Sequence, residues 1–153
     1  MEIVCVACPA EVEEVRLLFQ EYWNSFGFTP CFQGFSDELA NLPGDYVPPH
    51  GALALATIDA RPAGCAALRR IDDLRCEAKR LYVRPEFRGR ALGRALLDWV
   101  VDRARTAGYR EMLGDTMPVM EQALSMYDRY GFERCAPYSD KPTPGAIYFR
   151  LKL

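Results

Sequence analysis

The segment Arg88-Gly89-Arg90-Ala91-Leu92-Gly93-Arg94 carries residue types that could hold a phosphorylated ligand. Its glycines let main-chain N–H groups approach an anion closely. The first N–H groups of a helix starting there lack intrahelical partners, so they and the helix dipole favour a diphosphate. An apolar strand ending Leu81-Tyr82-Val83 leads into it through Arg84-Pro85-Glu86-Phe87. Lys79, Arg80, Arg84, Arg88, Arg90 and Arg94 stand against Glu86 alone, six positive charges to one negative in a chain of net charge -2. The same residues also fit an ordinary strand-turn-helix connection with solvated arginines. A magnesium-nucleotide loop would need a lysine and a hydroxyl where Gly93-Arg94-Ala95 stands, and a dinucleotide fingerprint would need a third glycine.

Other chemistries lack their residues. His50 is the sole imidazole and lies beside Pro48-Pro49, with no GxSxG elbow, which argues against a serine or cysteine hydrolase. Six cysteines, at 5, 8, 31, 65, 76 and 135, are scattered through expected strands and read as small buried hydrophobes. Cys5 and Cys8 form a CxxC without a second pair, so no metal is expected. A pI of about 5.5 and a basic cluster confined to one turn argue against nucleic acid. No apolar run approaches the roughly 18 residues of a membrane span, and no signal sequence is evident, so the expectation is a cytoplasmic protein without membrane contact.

The turn resembles the diphosphate loop of the GNAT superfamily of N-acetyltransferases, [QR]xxGx[GA] after a strand ending V-x-P, matched by Arg88, Ala91 and Gly93. Ala91 stands where that pattern has its first glycine. Downstream, Ala123-Leu124-Ser125-Met126-Tyr127-Asp128-Arg129-Tyr130-Gly131-Phe132 resembles the late helix of the family, AxxxYxxxGF, although Met120 replaces an asparagine frequent there. The resemblance implies acetyl-CoA as cosubstrate, bound by Leu81, Tyr82, Val83, Arg88, Gly89, Arg90, Ala91, Leu92, Gly93 and Arg94. It also implies direct transfer of an acetyl group to a primary amine of a small molecule or peptide in a ternary complex. An alkyl amine with a pKa near ~10.4 must lose a proton before it attacks a thioester, and the departing thiolate must gain one. Glu77, eleven residues before Arg88, resembles the base of some relatives, and Tyr127 matches the candidate acid. A main-chain N–H near Leu81 is expected to meet the thioester oxygen, if the strand splays there. Glu77 reads equally as a structural ion pair with Lys79 or a neighbouring arginine, and Tyr127 as a core tyrosine.

The elements needed to position these residues are legible as alternating segments of one domain spanning residues 1–153. Ile3–Ala7 reads as a strand. A helix starts at Pro9-Ala10-Glu11, with Val12, Val15, Leu18, Phe19, Tyr22 and Phe26 at helical spacing. A helical turn or two is expected from Ser36, as N-cap, to before Pro43-Gly44. Ala52–Ile58, Gly64–Ile71 and Leu74–Val83 read as an antiparallel meander with turns at Asp59-Ala60-Arg61-Pro62 and Asp72-Asp73. Strict alternation in the third strand places Glu77, Lys79, Leu81 and Val83 on one face. A helix follows the loop and stops at Gly108. Then come a strand at Glu111–Asp115, the Tyr127 helix, a segment Phe132–Pro137, a turn Lys141-Pro142-Thr143-Pro144-Gly145 and a strand Ala146–Leu153. Together with the resemblance, this predicts an α/β (mixed α+β), GNAT-like fold with a central mixed, mostly antiparallel sheet of six to seven strands and about four helices.

Residues 1–50 hold eight carboxylates (Glu2, Glu11, Glu13, Glu14, Glu21, Asp37, Glu38 and Asp45) against Arg16, which could attract a cationic acceptor or simply form a solvated helix face. Tyr22, Trp23, Phe28, Phe32, Phe35 and Tyr46 could wall a pocket or belong to the core. Two other readings stay open: a non-catalytic CoA-binding regulator of the same fold, and a protein-interaction module that forms a homodimer.

Overall fold

The computed structural model describes residues 1–25, 34–139 and 142–153. Phe26, Phe28, Cys31, Phe32 and Lys141, read above as helix, pocket, core and turn residues, lie outside the described residues. The elements run β1 (Glu2–Cys5), α1 (Pro9–Asn24), α2 (Phe35–Ala40), β2 (Ala52–Ile58), β3 (Arg61–Arg70), β4 (Arg75–Val83), α3 (Leu92–Thr106), β5 (Glu111–Thr116), α4 (Glu121–Tyr130), β6 (Glu133–Cys135) and β7 (Ile147–Lys152). Seven strands form one sheet in the order β1-β2-β3-β4-β5-β7-β6, antiparallel except for the β4–β5 pair. The expected mixed, mostly antiparallel sheet is present.

The central strands are covered on both faces, which explains why β2 reads Ala-Leu-Ala-Leu-Ala rather than alternating apolar with polar. Ala54, Ala56, Ala66 and Cys76 face a core built on Leu92, Leu96, Leu97, Val100 and Val101 of α3. Leu53, Leu55, Cys65 and Tyr82 face Val15, Leu18, Phe19 and Tyr22 of α1, with Phe35 of α2.

Several local expectations change. The β2–β3 turn is tighter than expected, since Asp59 and Ala60 both take positive φ (51° and 63°) and Ile58 pairs directly with Arg61. Ser36 lies inside α2, whose N-cap is Gly34 in the left-handed region. At α1 the cap works in reverse, with the Glu11 carboxylate accepting from the Ala7 and Cys8 N–H groups at 2.7 and 3.3 Å. Cys8 is exposed rather than buried, while Cys65 and Cys76 are core residues.

Close approach of α3 to the sheet depends on Gly64, where a Cβ would lie 2.6 Å from the Tyr82 carbonyl oxygen and 3.1 Å from Leu96 Cδ1. Gly93 differs, since a Cβ there would meet Met126 Sδ at an ordinary 3.6 Å. Gly64→Ala is therefore expected to cost about 1–3 kcal/mol, whereas Gly93→Ala should change stability by less than about 1 kcal/mol, as read by urea denaturation.

Candidate active site

The site begins with an extra residue in β4. Cys65 pairs with Tyr82 and Ala67 with Lys79, so Ala66 opposes both Arg80 and Leu81, and Arg80 sits at φ 57°. A non-glycine residue in that region carries roughly 1–2 kcal/mol of strain. Contacts from the helical layer hold it there. The Arg80 guanidinium donates to both Glu38 oxygens at 2.9 and 3.0 Å and lies over the rings of Trp23 and Phe35 at 5.1 and 5.2 Å. Those two rings stack on each other 4.2 Å apart.

The bulge reverses side-chain parity along the strand. Leu81 and Val83 join the α3 core, whereas Arg80 and Tyr82 meet the α1–α2 layer. Glu77 and Lys79 precede the bulge and face the α1–α2 side, so the expected single face of Glu77, Lys79, Leu81 and Val83 is not formed. The sheet opens shortly before the bulge. Pairing between β4 and β5 ends at Glu77↔Leu113, while β5 stays paired with β7 as far as Thr116↔Ile147. Beyond Glu77 the two parallel strands diverge, leaving a gap between their C-terminal halves.

The loop after β4 lies at the mouth of that gap. Gly89 and Ala91 take positive φ, 78° and 60°, and Ala91 caps α3. Alanine thus adopts the conformation for which a glycine is the usual choice. The N–H groups of Ala91, Leu92, Gly93 and Arg94 donate no hydrogen bond among the described residues. Only part of the expected positive charge surrounds them. Arg80 is bound to Glu38, and Arg84 donates to Glu21 and to the Pro62 carbonyl, tying α1 to the end of β4. Arg88, Arg90 and Arg94 remain beside the loop; Arg88 Nε donates to the Val83 carbonyl at 3.0 Å, and Arg94 pairs with Asp98.

On the α1–α2 side of the gap lies a cluster of charges. Glu77 is 5% exposed and accepts from Arg69 at 2.7 Å and from the Tyr138 hydroxyl at 2.5 Å. The cross-strand residue Arg69, rather than Lys79, supplies the ion pair. Asp115, on β5, has no ion pair and no side-chain hydrogen bond to another described residue. Burial, then the Glu77 carboxylate, raise its carboxyl above the usual aspartate value, with Lys79 and Arg80 opposing. Lys79 likewise has no ion pair, and burial, then Arg80, hold its ammonium below the usual lysine value. Tyr127 enters from the opposite layer, its ring stacked on Phe149 at 4.3 Å and edge-on to Phe132 at 5.4 Å. Its hydroxyl makes no hydrogen bond among the described residues. Burial, then Tyr22 and Asp115, push its pKa up, so it keeps its proton at neutral pH.

The structure places the sequence-predicted candidates Glu77, Tyr127 and the loop residues around this gap and adds Asp115, Arg69 and Tyr138, which were not among them. Arg69 could have been found from the β3–β4 register, and Asp115 from its place at the end of the strand parallel to β4. Tyr138 had no such signal. Half of the carboxylates of the acidic N-terminal third are engaged within the protein: Glu11 caps α1, Glu13 pairs with Arg16, Glu21 with Arg84 and Glu38 with Arg80. Tyr22, Trp23, Phe35 and Tyr46 are core residues.

The chain belongs to the acetyltransferase (GNAT) family, whose model matches residues 13–132. It is 37% identical to an uncharacterised N-acetyltransferase of Schizosaccharomyces pombe, over 100% of this chain and 95% of that protein. Its fold is similar to that of an acetyltransferase from Streptococcus agalactiae, with a TM-score of 0.83, 21% identity and coverage of 99% and 98% of the two chains. It is also similar to a GNAT family acetyltransferase from Elizabethkingia anophelis solved with acetyl-CoA bound, with a TM-score of 0.70, 20% identity and coverage of 99% and 97%. Among the described residues, no helix is long and apolar enough to cross a membrane.

Replacing Ala91 tests the loop. Ala91→Gly relieves about 1 kcal/mol of left-handed strain, offset in part by the greater freedom of glycine in the unfolded chain, so thermal stability should hold or rise slightly. Ala91→Val, β-branched at positive φ, should lower the melting temperature by several degrees.

Proposed function

We propose that this protein moves the acetyl group of acetyl-CoA to a primary amine of a small molecule or peptide, by direct attack in a ternary complex. The observation that carries the reading is the run of N–H groups from Ala91 to Arg94, unpartnered among the described residues, at the N-terminus of a 15-residue helix and beside the mouth of the β4–β5 gap. Those amides, with Gly89, Arg88 and Arg90, would hold the diphosphate. The β5-facing edge of Leu81, Tyr82 and Val83, which no strand pairs among the described residues, would hold the chain that carries the thioester. The thioester supplies the activated acetyl carbon.

Asp115 is the better-placed proton acceptor. Both candidate carboxylates lie on the same side of the gap, but the Glu77 oxygens are engaged by Arg69 and Tyr138 and those of Asp115 are not. Asp115 takes the proton that the attacking nitrogen loses, the Tyr127 hydroxyl gives its own to the sulfur as the C–S bond breaks, and the proton on Asp115 then returns to the Tyr127 oxygen, so the products are an amide and a free thiol. Glu77 acts as a positioning residue that fixes Arg69 and Tyr138 around the acceptor. The occupied left-handed conformation at Ala91 also weakens the non-catalytic reading, because the substitution leaves the loop geometry in place.

Acetyl-CoA should raise the melting temperature, by the mass-action relation for a ligand of the folded state, where ATP and NAD should not. Asp115 works deprotonated, so kcat should rise with pH through a carboxyl raised above the ordinary ~3.9. Asp115→Asn should remove that acid limb and lower kcat by roughly 10²- to 10⁴-fold. Glu77→Gln should lower the rate and leave the limb in place; a limb that vanishes in Glu77→Gln and persists in Asp115→Asn would move the base to Glu77. Tyr127→Phe keeps the ring packing and should lower kcat, and full activity in it would remove the assigned acid.

A further inference from the structure

The charges facing the α1–α2 side of the gap are paired with two exceptions. Arg69 is bound to Glu77 at 2.7 Å and Arg80 to Glu38 at 2.9 Å. Lys79 and Asp115 have no ion pair within 4.0 Å and no side-chain hydrogen bond to another described residue. They are not matched to each other. Their positions in the sheet are nevertheless equivalent: the last β4–β5 pair is Glu77↔Leu113, and each of the two lies two residues further along its strand, on the same face, where the strands have parted. Lys79 also opposes Ala67 on β3, a side chain too short to cover it.

Leaving one cation and one anion half-buried without partners is costly unless a ligand completes them. The surrounding pairs cancel, with Arg69 and Arg80 balancing Glu77 and Glu38, so a complementary ligand carries one charge of each sign. Its positive or proton-bearing end would face Asp115 and its negative end Lys79. The carboxylates of the N-terminal third do not redirect this preference, since four of the eight are spent on capping and on Arg16, Arg80 and Arg84.

Resting on the acetyl-transfer reading above, we propose that the acceptor is an amino acid or a related amine bearing a carboxylate, with Lys79 holding that carboxylate while Asp115 faces the reacting nitrogen. An ammonium is a flexible point charge with three donors, suited to a carboxylate at variable angle. Specificity of this kind is strong because an acceptor without the carboxylate leaves the lysine unpaired in the bound complex.

The test uses the twenty protein amino acids, their carboxamides and the corresponding decarboxylated amines, with release of CoA thiol as the readout. For the preferred side chain, kcat/KM should favour the carboxylate over its carboxamide by at least about tenfold. In Lys79→Met that ratio should collapse toward one, chiefly through KM, and Lys79→Arg should restore part of it. Melting temperatures of the CoA-saturated protein give a second measure that needs no turnover: the carboxylate should add stabilisation in the wild type and not in Lys79→Met. Equal use of carboxylates and carboxamides, an unchanged ratio in Lys79→Met, or no added stabilisation by any carboxylate would each overturn the proposal. Failure of the acetyl-transfer reading has a separate signature, no thiol release with any amine and no stabilisation by acetyl-CoA.

Discussion

One left-handed residue, Arg80, organises the site. Its extra place in β4 turns the strand by one side chain, so Glu77 and Lys79 face the helical layer of α1 and α2 while Leu81 and Val83 pack beneath α3. The strain of that conformation persists because surrounding structure over-determines it. A buried guanidinium bonded to both oxygens of Glu38, over two stacked aromatic rings, cannot swing away without leaving a charge unpaired in the core. The bulge at Arg80 follows the last β4–β5 pair, Glu77↔Leu113, and the gap between the strands brings Asp115, Lys79 and Tyr127 to one place from three elements.

The basic run from Lys79 to Arg94 looks uniform in sequence and is divided in space. Arg80 and Arg84 fasten the helices α2 and α1 to β4 through Glu38 and Glu21, so two cations and two carboxylates neutralise each other inside the fold. Arg88, Arg90 and Arg94 stay at the loop, beside the amides of Ala91 to Arg94, which are unpartnered among the described residues and which the proposal assigns to an anion. Lys79 stays on the α1–α2 side of the gap. On the acetyl-transfer reading proposed above, steering of an anionic cosubstrate and recognition of the acceptor draw on different members of one stretch of sequence.

Features set by local chemistry were legible in the sequence. The 3.6-residue spacing of Leu92, Leu96 and Val100 gave α3, and the glycines at 89 and 93 with the preceding valine gave the loop. The apolar runs gave three meandering strands. What escaped depends on partners distant in sequence. No glycine marks the bulge, since arginine occupies the left-handed position, so strict alternation placed Leu81 and Val83 on the wrong side. The Glu77–Arg69 pair follows only from hairpin register. Asp59 and Ala60 turn the β2–β3 hairpin without a glycine, so the turn was placed two residues too long. Ser36 had the chemistry of a cap, but the backbone of Gly34 could reverse direction first. Asp115 was legible as the end of a strand and not as a candidate base, because nothing local shows that β5 lies parallel to β4 across an opening.

Backbone amide hydrogen exchange with and without acetyl-CoA tests the central claim most directly, that the parted edge of β4 and the free turn of α3 form one binding surface. Slower exchange on ligand addition should be confined chiefly to Leu81–Val83 and Ala91–Arg94. Protection elsewhere with those two segments unchanged, or protection of the loop without the strand, would contradict the account.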